Sequence, residues 1–528
     1  MTSDPIPMVG ELADIYAQQR LLKEGSRWDH LRSQFKNRFG HEPDYIARAP
    51  GRVNLMGDHV DHMRFSCLPA ALEMDILMAF RVKHKTDSDS SKVKFHLENT
   101  SKTFSGTSFQ CNVDDHKSVQ LEHSGPGRWA NYFKVAFKGL LPHLPKSALE
   151  SSNRPSQVDV LIDGTIPPES SLSSSAAMTT CSSIVILQAF HAREEISRKE
   201  MAEVAIESER LVGVNSGGMD QAASIFGLSG CVLHVSFVPQ LFAEPIQLPS
   251  SHSPHVFVIA NTLVTSDKKV NGPVQYNLRV GELWMACRAI CKKLEMAQDD
   301  TTKVLKDLLE IYFEKNPLQR GSEEDDVEKA WQELGEEAAK IVKMEKVALP
   351  CLPNHPVSRV EAEEATGYKG TAFDEEFLSV FPIRAEKFNL YSRTKHVLSE
   401  SLRVLAFKAQ CTKPLGSDND ASMIYKQLGK IMHESQQSLF HDYENSCLEL
   451  EIVCKISSSN GALGSRPTGA GWGGSTISLV EQSKVDQVLT ALKEQYYKKR
   501  NPTLTQEEFN EAVLVSQPAK GACLYEVV

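Results

Sequence analysis

No stretch of this chain approaches the roughly 20 apolar residues of a membrane-spanning helix. The longest candidate, AAMTTCSSIVILQAF, is short and broken by hydroxyl side chains. The start, MTSDPIPMVGELADIY, lacks the basic and apolar regions of a secretion leader, so a cytoplasmic protein is expected. A basic excess is missing too: 58 Lys and Arg stand against 68 Asp and Glu, for a net charge of −10. That balance argues against a generic nucleic-acid binder but allows a small anion held in a local basic pocket. The 11 cysteines form no CxxC pair, and Cys287 with Cys291 supplies only two ligands where a zinc site needs more. Buried, reduced thiols are expected. Internal repeats and low-complexity tracts are absent, and no GKS or GKT is present to make a Walker A loop.

The 528 residues exceed one compact core, so the chain is expected to form two lobes. Trp28, Leu31, Phe35 and Phe39 recur at helical spacing, and Gly40 is a natural stop. Strand-like alternation follows in DYIARAPGRVNLM. Helices are predicted at 173–190, about 194–211 and 276–294, with a buried strand at 255–264. This mixture predicts an α+β or mixed α/β fold. The change of composition in SFVPQLFAEPIQLPSSHSP places a border near residues 242 and 243, giving domains 1–242 and 243–528. Residues 298–347 read as an acidic helical insertion, with EEDD at 323–326 as a solvated connection.

Four segments carry chemistry. PGRVNLMGDHVDH (50–62) places Arg52, Asp58, His59 and Asp61 in one turn, a set suited to a hydroxyl-rich ligand. PPESSLSSSAAM (167–178) puts serines where a helix begins, so hydroxyls, N–H groups and the positive helix end could face a phosphate. ESERLVGVNSGGMDQ (207–221) sets Asp220 behind two glycines, a possible general base, with Glu209 a possible Mg²⁺ ligand. GSRPTGAGWGG (464–474) is a flexible turn rich in N–H donors. Each alone could be an ordinary surface turn. Phosphoryl transfer from ATP to a small polyol would use all four.

Together with VIANTLVTSDK, YNLRVGE, SESLRVL and VSQPAKGACLYE, in this order, these blocks resemble the galactokinases of the GHMP kinase superfamily. The similarity is greatest to the fungal group, which includes a galactose-sensing regulator, and runs from about residue 27 to the C-terminus. The resemblance implies a two-lobed GHMP kinase fold with the active site between N- and C-terminal domains. It implies phosphorylation of the anomeric hydroxyl of galactose with MgATP, by a monomer. On this resemblance Asp220 would take the hydroxyl proton, and Arg52 would pair with it and stabilise the transferring phosphoryl. Asp58, His59, Asp61, the backbone at Gly217, and Tyr276 fall at sugar-binding positions. Ser175, next to Ala176, and Glu209 match Mg²⁺ ligands. Ser171, Ser173 and Ser174 line the phosphate turn, and Trp129 and Asn131 match the edge of the nucleotide pocket.

Four positions depart from the family pattern: Asp58, His62, Glu169 and Ser171. Asp58 stands where the family has Glu, shortening the carboxylate arm by one methylene. His62 replaces the usual Tyr, and Glu169-Ser170-Ser171 replaces Gly-x-Gly ahead of the intact serines and alanines. Serine for glycine costs most where φ is positive, and a carboxylate turned toward the phosphates would repel them. The departures leave two alternatives. One is a regulator that binds galactose and ATP and contacts a transcriptional repressor; the other is a kinase for a related sugar.

Overall fold

The computed structural model describes residues 2–84, 91–150, 153–213, 217–264, 271–416 and 418–527. A seven-stranded sheet is ordered Met8–Val9, Cys523–Glu526, Tyr45–Met56, Leu68–His84, Pro155–Gly164, Lys92–Asn99 and Thr107–Asn112. Tyr45–Met56 is buried along almost its whole length because both faces of the sheet are covered. One face carries Ser174–Ala189 and its neighbours, where Phe95, Phe133, Phe137 and Ile184 share a core. Leu21–Phe39 covers the other face through Trp28, Leu31 and Phe35, and Gly40 caps it at φ 79.

A second, antiparallel sheet is ordered Ala462–Thr468, Ser475–Glu481, His255–Asn261 and Val513–Ser516. GSRPTGAGWGG thus closes a hairpin between its first two strands. Beside it stands a helical body containing Tyr276–Lys293, Leu305–Lys315, Glu336–Ala348 and Leu390–Cys411. Val60 of the sequence's first chemical segment, with Met63 and Phe65 just after it, belongs to that same core. The 298–347 stretch is therefore built into the lobe through Leu305, Leu308, Leu309, Ile341 and Met344. EEDD opens the helix Asp325–Leu334 and pairs with Lys343 and Lys346, rather than forming a free connection.

The border drawn at 242 and 243 meets the chain at the hairpin that precedes the second sheet. That hairpin pairs Cys231–Ser236 with Phe242–Gln247, and the second sheet begins at His255. Cys523–Glu526 also returns to the first sheet, parallel to Met8–Val9 and antiparallel to Tyr45–Met56. A four-residue strand leaves no compositional mark, which is why the sequence pattern missed it. Among the described residues no helix is long and apolar enough to cross a membrane.

Asp75 fastens these chain ends. It accepts from Tyr16 Oη at 2.6 Å, Arg48 Nε at 2.6 Å and Arg27 Nη1 at 2.7 Å. Arg48 donates onward to the carbonyls of Lys520 and Gly521. Burial pushes the Asp75 carboxyl up, but Arg27, Arg48 and the Tyr16 hydroxyl more than reverse that and hold it below its ordinary range. Removing one partner of a buried charge cluster strands the rest. Asp75→Ala is therefore expected to cost about 3–5 kcal/mol, read as a lowered urea midpoint; a loss below about 1 kcal/mol would contradict this role.

Candidate active site

The serine-rich segment follows the strand Pro155–Gly164 and enters the helix Ser174–Ala189. Glu169, Ser171 and Ser173 have φ of 57°, 64° and 59°, while Ser170 and Leu172 between them do not lie in the left-handed region. Alternating handedness of this kind turns successive N–H groups to one side as an anion-binding nest. Among the described residues, the N–H groups of Ser171 to Ala176 meet no backbone carbonyl. The cradle shape thus persists where the family pattern has glycines, at about 1–2 kcal/mol for each non-glycine residue in this conformation.

Neighbours hold the turn in place. Ser170 Oγ donates to Pro167 O at 2.7 Å, and Ser475 Oγ donates to Ser170 O at 2.7 Å from the second sheet. Arg52 donates through Nη1 to Ser171 O at 2.7 Å and through its backbone N–H to Leu172 O. Ser171 packs so closely on the glycine turn that a Cβ at Gly474 would overlap its Oγ. Glu169 is exposed. Burial, then the charges of Glu209 and Glu169, raise the nearby Tyr132 phenol to about 12.

Arg52, from Tyr45–Met56, also binds Asp220, from the first turn of Met219–Phe226. Nε and Nη2 lie 2.8 and 2.7 Å from Asp220 Oδ1. Ser173 Oγ donates to Asp220 Oδ2 at 2.6 Å. Ser173 thus sits in the phosphate turn with its hydroxyl on the carboxylate rather than toward the nest. A fixed carboxylate, a cation and a phosphate cradle meet at one point.

Beside them lie Asp61, Gly217, His59 and Tyr276. Asp61 accepts from the N–H of His62 at 3.0 Å and of Met219 at 3.4 Å. A Cβ at Gly217 would overlap Asp61, so this approach requires glycine. Burial, reinforced by the charge of Asp220, lifts the Asp61 carboxyl to about 6. His59 Nε2 lies 2.9 Å from Ala470 O; a carbonyl only accepts, so Nε2 carries the proton and Nδ1 is an acceptor. Burial keeps this ring neutral, well below the usual histidine range. Around it stand Tyr443, Tyr276 and Trp472, at 4.6, 5.4 and 5.8 Å between ring centroids. His62 Nε2 lies 3.2 Å from Tyr443 Oη, and burial depresses it to about 3.

Several expected contacts take a different form. The Asp58 carboxylate lies 2.5 Å from Arg466 Nη2 and accepts from the Gly469 N–H at 3.1 Å. Its short arm ends at a buried guanidinium, and burial is complete. Asn131 is engaged at both ends of its amide by the backbone of Glu122, and Trp129 Nε1 donates to Ser105 O. Both side chains brace loops at the pocket edge. Ser174 and Ser175 are half-buried, Ala176 is fully buried, and Glu209 is buried with Gln221 Nε2 donating to it. Residues 214–216 of the glycine loop and 265–270 of the polar loop lie outside the described residues. Sequence reasoning missed Tyr443, Arg466 and Trp472 as site residues. The last two were in a motif already singled out. Tyr443 ends a π-helical segment, Leu439–Tyr443, that no local pattern announces.

Comparison with known proteins adds the family. Residues 131–228 match the GHMP kinases N terminal domain and 424–498 the GHMP kinases C terminal domain, so the fold is that of a GHMP kinase. Residues 33–82 match the galactokinase galactose-binding signature. Galactokinase of Schizosaccharomyces pombe is 34% identical over 512 residues, covering 95% of this chain and 96% of that protein. Galactokinase of Saccharomyces cerevisiae is 34% identical over 515 residues, covering 94% of each. The chain belongs to the galactokinase family. Lactococcus lactis galactokinase complexed with galactose shares the fold, with a TM-score of 0.60 at 21% identity, covering 94% of this chain and 99% of that one.

Asp61 gives this site a pH signature. Its folded value near 6 exceeds the ordinary carboxylate value, so the folded state holds the extra proton below pH 6. An ionised Asp61 accepts from a hydroxyl; a protonated one loses half that capacity. The ratio kcat/KM for galactose is expected to fall below about pH 6, and Asp61→Asn to remove this step. By the same sign, Asp61 favours folding less as pH rises toward 6. A wild-type profile flat from pH 7 to 5 would contradict the assignment.

Proposed function

We propose that this chain is an ATP-dependent galactokinase, moving the γ-phosphoryl group of ATP to the anomeric hydroxyl of galactose to give galactose 1-phosphate and ADP. The observation that carries this reading is the junction of Arg52, Asp220 and Ser173 at the foot of an intact N–H nest. Asp220 takes the proton as the anomeric oxygen bonds to phosphorus and the bond to the β-phosphate oxygen breaks. Arg52 keeps Asp220 oriented and offsets negative charge on the transferring group. The N–H groups at Ser171, Ser173, Ser174, Ser175 and Ala176 receive phosphate oxygens. His59, Asp61, the Gly217 backbone and Tyr276 orient the sugar, with Trp129 and Asn131 bracing the nucleotide edge.

Mg²⁺ fits the donor set, since it takes one or two carboxylates together with substrate phosphates. Glu209 and the Ser175 hydroxyl would hold it, and it would neutralise phosphate charge. We place the chain in the cytoplasm, acting as a monomer on galactose and MgATP, with an N-lobe to about residue 247 and a C-lobe from 255.

The left-handed Glu169 and Ser171 favour one second reading, a galactose and ATP sensor that contacts a repressor without turnover. Galactose-dependent ADP release separates the two. Turnover is expected, and Asp220→Ala is expected to lower kcat by about 10²–10⁴. Wild-type release no faster than that of the variant would favour the sensor. Glu169→Gly removes a left-handed side chain that is exposed, so it is expected to stabilise the protein by about 1 kcal/mol without lowering kcat. A lower kcat in that variant would give Glu169 a direct part in the reaction.

A further inference from the structure

Asp58 lies in the sugar-signature turn, yet its carboxylate reaches a guanidinium and a backbone N–H of the second lobe. Arg466 Nη2 is at 2.5 Å and the Gly469 N–H at 3.1 Å. The same stretch of chain is gripped on both sides. Arg466 donates to the carbonyls of Asn54 and Leu55, the Gly57 N–H donates to Glu400, and His396 Nε2 meets the Asp58 carbonyl at 3.1 Å. Asp58, Glu400 and Arg466 are all buried, and Arg466 also reaches Glu400 at 3.4 Å.

From Asp58 a continuous line of contacts reaches the reacting atoms. Gly469, whose N–H Asp58 accepts, lies against the phosphate turn: a Cβ there would be 2.6 Å from Ser171 O and 3.4 Å from Arg52 Nη2. Ser171 O in turn accepts from Arg52, and Arg52 holds Asp220. No comparable line joins the Asp58 carboxylate to Asp61 or His59; His59 meets the glycine turn through its own bond to Ala470 O.

We infer that Asp58 is a positioning residue for phosphoryl transfer, setting the glycine turn against the phosphate turn across the lobes, and is not a sugar contact. The reasoning is geometric. A carboxylate set 2.5 Å from a buried guanidinium and accepting from a backbone N–H gives up both partners if it turns toward a hydroxyl. With one methylene fewer than glutamate it also has less reach. The role rests on the kinase reading above, and it assigns Asp58 to the phosphate side of that reaction.

The test is Asp58→Asn, which keeps the shape and leaves Arg466 paired with Glu400, so the buried charge is not abandoned. Galactose affinity is measured by calorimetry without nucleotide, and kcat and the KM for ATP by ADP release, with the unfolding midpoint as a control. A positioning role predicts kcat down about tenfold or more and a raised KM for ATP, with the galactose Kd within about twofold of wild type. Arg466→Lys, which keeps the charge but loses the fork, is expected to give the same pattern and serves if Asn fails to fold. A galactose Kd raised tenfold with kcat and the KM for ATP held would overturn the inference, as would no change in any parameter. Absence of wild-type turnover would instead defeat the kinase reading itself, while the galactose Kd would still show whether Asp58 touches the sugar.

Discussion

Arg52 binds on three fronts from a buried position: Asp220 through Nε and Nη2, Ser171 O through Nη1, and Leu172 O through its backbone N–H. These bonds fix the phosphate turn relative to the carboxylate that would act beside it. Three left-handed non-glycine residues cost about 3–6 kcal/mol together. Hydrogen bonds from a charged donor return about 1.5–3 kcal/mol each, and neutral ones from Ser170 and Ser475 add to them. The two sides are comparable, so the backbone keeps the shape that glycine would adopt freely. Serine at 171 therefore changes the cost of the turn more than its form.

The same constraint explains why the lobes are interlocked. Gly469 and Gly474 lie so close to Ser171 that neither tolerates a side chain. Arg466 and Ser475, flanking that turn, donate to the first lobe at Leu55 O and Ser170 O. Return of Cys523–Glu526 to the first sheet adds a covalent reason for the lobes to remain together, with Asp75 and Arg48 securing the returning strand.

Much of the local structure could be read from residue patterns. Trp28, Leu31 and Phe35 announced a helix because their spacing is a property of that segment alone. The Asp220 region was legible for the same reason, since two glycines before a carboxylate imply close backbone approach. Long-range matters were not. Asp58 was expected at the sugar from the signature it sits in, while its carboxylate meets Arg466, 408 positions away. Tyr443 comes beside His59 only through packing of Leu390–Cys411 and the π-helical segment. The sign of φ at Glu169 and Ser171 was likewise hidden, because the residues themselves favour the other region.

The central claim is that a phosphate turn without its glycines still serves transfer to an anomeric oxygen. The most direct measurement is ³¹P and ¹³C NMR of the product formed from ATP and galactose labelled with ¹³C at the anomeric carbon. The account predicts a new phosphate resonance coupled to the labelled carbon, growing as ADP forms. Binding of both ligands with no such coupled resonance would contradict it.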